Sequence, residues 1–247
     1  MLDNKTIEGL HALKMPAMAA ALAEQSASAQ YSGLSFEERL GMLVDRELAE
    51  RDDRRVSRYL RAAKLRTGAV VEDIDFARQR GLDKATVLGL AGAGWVKAHH
   101  NLAVIGPTGV GKTFVACALA NAAVRRGHSA LYLRGPRMLD ELAIARADGR
   151  LSRLLATWAR TDVLLVDDFL VRPLSPDQAA DLLEVVEDRS GLRSTVVTSQ
   201  LPLAMWHAAI GEPTLADAVL DRLSEDMQRI ELTGESMRKA KAAKAAR

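Results

Sequence analysis

The chain of 247 residues has one cysteine, only 4% aromatic side chains and no apolar run of the roughly 18 residues that cross a membrane. The single Cys117 excludes an internal disulfide, suits a reducing compartment and is predicted to be a buried packing residue. With so few aromatics, the core must be built from Ala, Leu and Val, as in helices packed on a parallel sheet. The net charge of +2 implies no polyanionic partner by itself. We therefore expect a soluble, cytoplasmic α/β protein with no membrane partner.

A phosphate-binding loop follows the apolar run 102–105 directly. Residues 106–113 read Gly-Pro-Thr-Gly-Val-Gly-Lys-Thr, the pattern G-x-x-x-x-G-K-[ST] between a strand and a helix-forming stretch. Its glycines let backbone N–H groups converge on an anion, Lys112 adds a positive charge for the outer phosphates, and Thr113 offers a hydroxyl to Mg²⁺. The sequence thus predicts ATP and Mg²⁺ as cofactors, bound by Gly106, Pro107, Thr108, Gly109, Val110, Gly111, Lys112, Thr113 and Phe114.

Two carboxylates follow a second apolar strand, Val163–Val166. Ligands bind at the carboxyl ends of strands in open α/β sheets, so Asp167 is predicted to hold Mg²⁺ together with Thr113. Asp168 is the candidate catalytic base that orients or polarises the attacking water. ATPases of this type more often carry Glu at the second position. Because Asp is one methylene shorter, the water must sit closer or the strand end must shift.

Strands and helices alternate from residue 100, which predicts a parallel sheet with covering helices. The predicted strands are Asn101–Ile105, Ser129–Leu133, Val163–Val166, Ser194–Thr198 and Gln228–Leu232, and the predicted helices lie near 112–126, 136–147, 149–160, 176–190 and 215–225. The strand at 194–199 should be an extra central strand. It ends in Thr198-Ser199-Gln200, and Gln200 or Ser199 could detect the γ-phosphate; the alternative is a simple exit from the strand.

Two arginines are candidates for phosphate contact. Arg222, on a late helix, could enter the site of a neighbouring subunit and stabilise transition-state charge. It could equally be a surface residue paired with Asp226 four positions later. Arg238, just after the last predicted strand, could reach the phosphates of its own subunit.

The first 66 residues are predicted to be helical, with a capping box formed by Ser35 and Glu38. After Asp53 the acids stop, and the remaining helix is purely basic. It is either a solvated face or a contact for nucleic acid or another subunit, through Arg54, Arg55, Arg58, Arg61 and Lys64. We expect a helical domain at 1–68, for DNA or oligomerisation, and an ATPase domain at 69–247.

Together these motifs resemble the IstB-like ATP-binding proteins, helpers of insertion-sequence transposases and relatives of DnaC helicase loaders and DnaA initiators. The resemblance covers nearly the whole chain and rests on the segments 35–40, 45–47, 50–51, 72–75, 101–113, 131–134, 164–169, 198–202, 216–218, 220–223 and 234–238. Leu170 stands where family members often have glycine, and 224–226 replaces a His-containing stretch.

The resemblance implies an AAA+ P-loop ATPase of the initiator type, with a five-stranded parallel sheet after a small all-α domain and without a full C-terminal lid. Such a protein is expected to form a homo-oligomer on duplex DNA when ATP is bound. It would present that DNA to a cognate transposase, and ATP hydrolysis would release it. Further candidate DNA contacts lie on the two helices inserted near 136–160: Arg137, Arg146, Arg150 and Arg153.

Three other functions remain open at this point. A DnaC-like helicase loader would use the same ATPase with a different protein partner. A small-molecule P-loop kinase would need an acceptor pocket and a mobile lid, and would leave Arg222 and Gln200 idle. A module that binds ATP without significant turnover is kept open by Asp168.

Overall fold

The computed structural model describes residues 4–237, so the predicted phosphate contact of Arg238 lies outside the described residues. The chain divides into two compact units between Arg58 and Tyr59, here called the first and the second unit. The division falls within one long helix, and the domain boundary predicted after residue 68 stays a prediction. Within the described part of the chain, no helix combines the length and apolar character needed to cross a membrane.

The first unit is helical. It contains α1 (Asn4–Ala12), α2 (Pro16–Ala27), a 3-10 turn (Ala29–Tyr31) and most of α3 (Phe36–Ala63). The predicted capping box opens α3, since Glu38 N donates to Ser35 Oγ at 3.2 Å and Ser35 N donates to Glu38 Oε2 at 2.8 Å. On α3 the buried Glu47 carboxylate accepts from the backbone nitrogens of Ala17 and Met18. Glu47 thereby caps the first turn of α2 and fixes α2 against α3.

The second unit alternates helices and strands, as predicted. Its elements are α4 (Lys84–Ala91), α5 (Gly94–Lys97), β1 (Leu102–Ile105), α6 (Lys112–Arg125), β2 (Ala130–Arg134), α7 (Gly135–Ala147), α8 (Leu151–Arg160), β3 (Val163–Asp167), α9 (Pro176–Glu187), β4 (Ser194–Ser199), α10 (Trp206–Ile210), α11 (Pro213–Ser224) and β5 (Gln228–Glu231). Each predicted strand lies within one residue of its predicted bounds. The two helices predicted to fill the gap between the second and third strands are α7 and α8.

The five strands form one parallel sheet in the order β2-β3-β4-β1-β5. The predicted central strand is confirmed, because β4 lies between β3 and β1. Every residue of β1, β3 and β4 is buried, as expected for a sheet covered on both faces. Parallel strands bring their carboxyl ends to one edge, so the P-loop after β1, the acids at the end of β3 and the polar end of β4 meet there.

Helices pack on the sheet with small and aliphatic side chains. Helix α6 is buried along most of its length, and Cys117 on it is completely buried, as predicted. Burial raises the pKa of the Cys117 thiol, which suits a packing role rather than a reactive one. Two tryptophans, Trp158 and Trp206, belong to the core cluster built from sheet residues and α7 to α11. This framework fixes the positions of the strand ends that form the site.

Candidate nucleotide site

The P-loop has the backbone that an anion-binding nest requires. Gly106, Gly109 and Gly111 have φ of +152°, +89° and +102°, values that L side chains rarely adopt. Lys112 begins α6 and is buried, and its Nζ donates to the carbonyls of Gly106 (2.7 Å) and Pro107 (2.9 Å). Burial lowers the pKa of Lys112, while Asp168 and Asp167 act in the opposite direction. The Lys112 side chain is thus held beside the loop, where phosphates would lie.

Close packing from behind fixes the loop and explains its glycines. A Cβ on Gly106 would lie 2.2 Å from Leu232 O, and one on Gly109 would lie 2.2 Å from Ser236 Oγ. Backbone hydrogen bonds continue this packing, from Leu232 N to Ile105 O at 2.7 Å and from Met237 N to Gly109 O at 2.9 Å. The segment after β5 therefore supports the P-loop directly.

A buried arginine braces the other side of the loop. Arg80 is 6% exposed and donates through Nη1 to Val110 O at 2.9 Å and through Nη2 to Asp75 O at 3.2 Å. A Cβ on Gly111 would lie 2.6 Å from Arg80 Nη1, the end of a long side chain, so it is the φ of +102° that requires glycine at this position. The segment between α3 and α4, which carries Arg80, thus contributes part of the nucleotide site.

Asp167 is the centre of the site. Its carboxylate is completely buried at the end of β3 and is surrounded by four donors. Oδ1 accepts from the hydroxyls of Thr113 (2.7 Å) and Thr198 (2.6 Å), and Oδ2 accepts from the Tyr132 hydroxyl (2.8 Å) and Arg66 Nη1 (3.2 Å). Burial alone would raise the pKa of Asp167. The four hydrogen bonds together lower it by more, so the pKa lies below the usual value. The carboxylate is therefore ionised at neutral pH.

Asp168, the predicted base, is held in an unusual backbone conformation. Its φ is +57°, its N–H donates to Thr198 Oγ1 at 3.1 Å, and its carboxylate accepts from Arg134 Nε at 2.9 Å. The side chain is 18% exposed, so it reaches the cleft while it is paired with Arg134. Leu170 also has a positive φ, +53°, although it is buried in the core. Such a φ favours glycine, which accounts for the glycine expected at this position.

The candidate sensors at the end of β4 face different directions. Ser199 is buried and donates to Phe169 O at 3.0 Å, whereas Gln200 lines the cleft and accepts from Thr108 Oγ1 at 2.6 Å. Of the two residues considered, Gln200 therefore has the better placement for a nucleotide contact. The preceding Thr198, which the sequence did not single out, donates to the Asp167 carboxylate and accepts from the backbone N–H of Asp168.

A cleft of about 390 Å³ joins these parts. Its lining includes the P-loop residues Thr108, Gly109, Gly111, Lys112 and Thr113, together with Phe114, Arg66, Arg134, Asp168, Val171, Gln200 and Met237. The donor set fits Mg²⁺·ATP: a hydroxyl and a carboxylate oxygen lie 2.7 Å apart for a hard cation, and a nest and a lysine face the cleft for phosphates.

Arg222 lies at the opposite edge of the sheet. Asn101, just before β1, donates through Nδ2 to the carbonyls of Arg222 (3.4 Å) and Leu223 (3.0 Å), which places the end of α11 at the amino edge. The guanidinium donates to Glu187 Oε1 at 2.9 Å, so its carboxylate partner is Glu187 and not the Asp226 considered from the sequence. A four-residue strand spans about 13 Å, so Arg222 does not reach the P-loop of its own chain.

Several predicted DNA contacts already have acidic partners within their own unit. Arg54 and Arg55, in the purely basic half of α3, pair with Glu50 and Asp52, because acids one turn earlier on the helix reach them. Arg58 and Arg61 also make contacts of their own.

In the second unit, Arg146 pairs with Asp181 and Glu184, and Arg150 pairs with Asp148. Arg137 and Arg153 are exposed, as is Lys64, which has a φ of +50°. DNA contact by all of these residues stays a prediction.

Comparison with known proteins gives the family. The chain matches the family described as IstB-like ATP binding protein over residues 8–245. It belongs to this family. Among its relatives, an insertion-sequence ATP-binding protein of Sinorhizobium fredii (y4pL) is 47% identical over 239 residues, 97% of this chain and 98% of the relative. The ATP-binding protein of insertion sequence IS1162 from Pseudomonas fluorescens is 49% identical, over 86% of this chain and 93% of the relative. The predicted resemblance is confirmed.

Solved structures show the fold. The match to DnaI covers 67% of this IstB-like chain and 92% of the DnaI chain, with a TM-score of 0.57 and 22% identity. The match to the DnaC helicase loader covers 71% of this chain and 98% of the loader, with a TM-score of 0.55 and 19% identity. The match to the replication initiator DnaA, solved with AMPPCP and single-stranded DNA, covers 73% of this chain and 56% of the DnaA chain, with a TM-score of 0.58 and 14% identity. The predicted AAA+ P-loop fold, with a helical region before it, is confirmed.

Proposed function

We propose that this protein is an ATP-dependent DNA-binding helper of transposition. It assembles on target duplex DNA, recruits or activates its partner transposase, and leaves the DNA after ATP hydrolysis. The observation that carries the proposal is the 2.7 Å hydrogen bond from Thr113 to Asp167. This bond brings a P-loop hydroxyl and the carboxylate at the end of β3 together as a pair suited to hold Mg²⁺, and the chain is related along its length to insertion-sequence ATP-binding proteins.

The residues of the cleft have separate tasks in hydrolysis. Bound Mg²⁺·ATP supplies the phosphoanhydride bond and a metal charge that offsets the negative charge of the phosphates. The nest and Lys112 hold the outer phosphates, and Thr113 with Asp167 holds the metal. Asp168, which reaches the cleft, orients the water, and Gln200 contacts the γ-phosphate. None of these tasks requires a side chain from the first unit.

Arg222 adds a further positive charge to the nucleotide site, and it does so in a second copy of the chain. Its position at the amino edge keeps it from its own nucleotide, and we expect it to contact the nucleotide of a neighbouring subunit instead. The neighbour must displace Glu187 from the guanidinium, and that exposed ion pair is worth only about 0–1 kcal/mol. ATP between two subunits would then couple hydrolysis to assembly.

DNA binding is expected to use phosphates rather than base edges. The candidate residues are arginines and one lysine, which neutralise phosphates and release counterions. The affinity should therefore fall steeply with salt and depend weakly on DNA sequence. Arg137 and Arg153 are the first candidates, because they are exposed on the two inserted helices.

The test is Lys112→Ala, with Lys97→Ala, an exposed lysine at the end of α5, as the control. Loss of the phosphate-facing charge should weaken ATP binding by about 100-fold, from a charged contact worth roughly 1.5–3 kcal/mol. Sizing chromatography with ATP and duplex DNA should show a large complex for the wild type and the control but not for Lys112→Ala. DNA binding that is changed neither by ATP nor by this substitution would disprove ATP-dependent assembly on DNA.

A further inference from the structure

Arg66 is a charged side chain of the nucleotide cleft that neither the P-loop pattern nor the strand pattern indicates. It lies three residues after the end of α3, and its guanidinium donates to Asp167 Oδ2 at 3.2 Å. It shares the acceptor Oδ2 with the Tyr132 hydroxyl, and it lines the same cleft as Lys112 and Thr113. A positive charge therefore occupies one side of the carboxylate that is predicted to hold a divalent cation.

The four donors around Asp167 differ in their freedom to move. Thr113, Thr198 and Tyr132 stand on α6, β4 and β2, which belong to the packed framework of the second unit. Arg66 stands in a connecting segment, and its side chain is 45% exposed. Because it is long and half in solvent, Arg66 is the donor that can leave Asp167 without moving the backbone.

The backbone under Arg66 is anchored. Ala63, at the end of α3, is completely buried, and Ala69, three residues after Arg66, is only 3% exposed, so the chain is held on both sides of Arg66. The side chain therefore turns about a fixed point beside the cleft. Within its reach lie the carboxylate on one side and the space in front of the P-loop on the other.

Charge decides which position the guanidinium takes. A divalent cation between Thr113 and Asp167 would repel a guanidinium bonded to the same carboxylate, and like charges in a half-buried site are screened weakly. The phosphates of ATP would attract it, and arginine binds phosphate oxygens through paired N–H groups. Binding of the metal and of the nucleotide therefore favours the same movement.

We propose that Arg66 and Mg²⁺ are alternative partners of Asp167, and that Arg66 pairs with the nucleotide phosphates in the Mg²⁺·ATP complex. Arg66 is thereby a nucleotide-binding residue supplied by the segment that follows α3. The proposal deepens the proposed function and rests on it, since it assigns a further ligand of the same site.

The test uses the full chain and two binding measurements that need no turnover. The variants are Arg66→Ala, Arg66→Lys, and Arg125→Ala as a control, because Arg125 pairs with Glu72 outside the cleft. Affinity for a fluorescent, non-hydrolysable ATP analogue is measured at saturating Mg²⁺. Affinity for Mn²⁺ without nucleotide is measured by electron paramagnetic resonance, and Asp167→Asn identifies the signal of the Asp167 site.

The two affinities of Arg66→Ala should change in opposite directions. ATP binding should weaken by about tenfold, because a charged hydrogen bond to phosphate is lost. Mn²⁺ binding should tighten severalfold, because a competing charge is removed. Arg66→Lys should keep most of the ATP affinity, and Arg125→Ala should match the wild type in both. If Arg66 were merely structural, its removal would not weaken ATP binding while tightening Mn²⁺ binding.

Two results would overturn the proposal: unchanged or weaker Mn²⁺ binding by Arg66→Ala, or ATP affinity equal to that of the wild type. Thermal unfolding verifies that each variant is folded, and if Arg66→Ala is not, Arg66→Ser takes its place in the same comparison. Failure of the proposed function would be seen separately, since the wild type itself would then not bind the ATP analogue.

Discussion

The two edges of the sheet, where the strands begin and where they end, both bury charged side chains, but they supply different kinds of hydrogen-bond partner. At the amino edge, Arg189 is 1% exposed and donates to Thr195 Oγ1 and to the carbonyls of Trp158, Thr161 and Ser194. All of these acceptors are fixed parts of the framework. At the carboxyl edge, Asp167 accepts from donors that include the half-exposed Arg66, and an open cleft lies in front of it.

The two edges therefore differ in whether the partners of a buried charge are permanent or can be exchanged for a ligand. These carbonyl and hydroxyl oxygens belong to the packed framework, so we expect the partners of Arg189 to be permanent and the loss of its side chain to lower the stability of the fold. At the cleft, phosphates and metal can take the place of a charged side chain as the partner of Asp167. Substitutions at the carboxyl edge should therefore change ligand affinity or turnover. Arg222 is the exception at the amino edge, because its partner is an exposed side chain.

The largest effect should come from Arg222→Ala, which tests that exception. The variant alone should hydrolyse ATP about 10³-fold more slowly, the lower end of what an arginine acting across an interface contributes. Mixing it with inactive Lys112→Ala should restore part of the activity, because each variant lacks a different half of a shared site. Steady-state hydrolysis of the mixture measures this, and activity no greater than the sum of the two variants would contradict a role in a neighbouring subunit.

Arg189→Ala should destabilise the fold by about 3 kcal/mol, since it leaves buried acceptors without a donor. The control is Arg160→Ala, at the exposed end of α8, where the loss should stay below about 0.5 kcal/mol. Denaturant unfolding gives both values. Folded Arg189→Ala should still bind ATP as the wild type does. A loss of affinity without a loss of stability would mean that the amino edge contributes to binding.

Asp168→Asn should lower turnover by about 100-fold, or 2.7 kcal/mol in the barrier, and leave ATP affinity nearly unchanged. The amide keeps the size of the side chain but cannot accept a proton from water. Single-turnover hydrolysis with pre-bound ATP separates this effect from binding. Wild-type turnover would remove Asp168 as the base.

The smallest effect is expected for Arg134→Ala, which releases the Asp168 carboxylate from its 2.9 Å ion pair. We expect turnover to rise severalfold, since the carboxylate is then free to face the cleft, while the free energy of unfolding changes by less than about 1 kcal/mol. Hydrolysis rates compared with those of the control Arg160→Ala measure it. A fall in turnover would show instead that Arg134 itself contacts the nucleotide.

The strands and the P-loop could be predicted because each is a local pattern. Apolar runs mark buried strands, and the glycine spacing of 106–113 specifies a loop by itself. Arg66 could not be found in this way, because it lies 101 positions from Asp167 and is one of many basic residues near the end of α3. Only the placement of that segment against the sheet distinguishes it.

Thr198 and Arg189 were missed for a related reason. Side chains alternate along a strand, so the register of β4 against β3 decides whether residue 198, 199 or 200 faces the acids. The sequence gives no such register. Arg189 is surrounded by hydrophilic residues in the chain and reads as a surface arginine, although folding buries it completely.

The support of the P-loop by residues 232–237 has a consequence for synthesis on the ribosome. Ile105 and Gly109 receive their hydrogen bonds from Leu232 and Met237, about 130 residues later in the chain. At ordinary elongation rates of about 5–20 residues per second, the loop would wait roughly 7–26 s for these partners. Cellular ATP therefore cannot assist early folding of the nascent chain, and nucleotide capture should be among the last steps of its maturation.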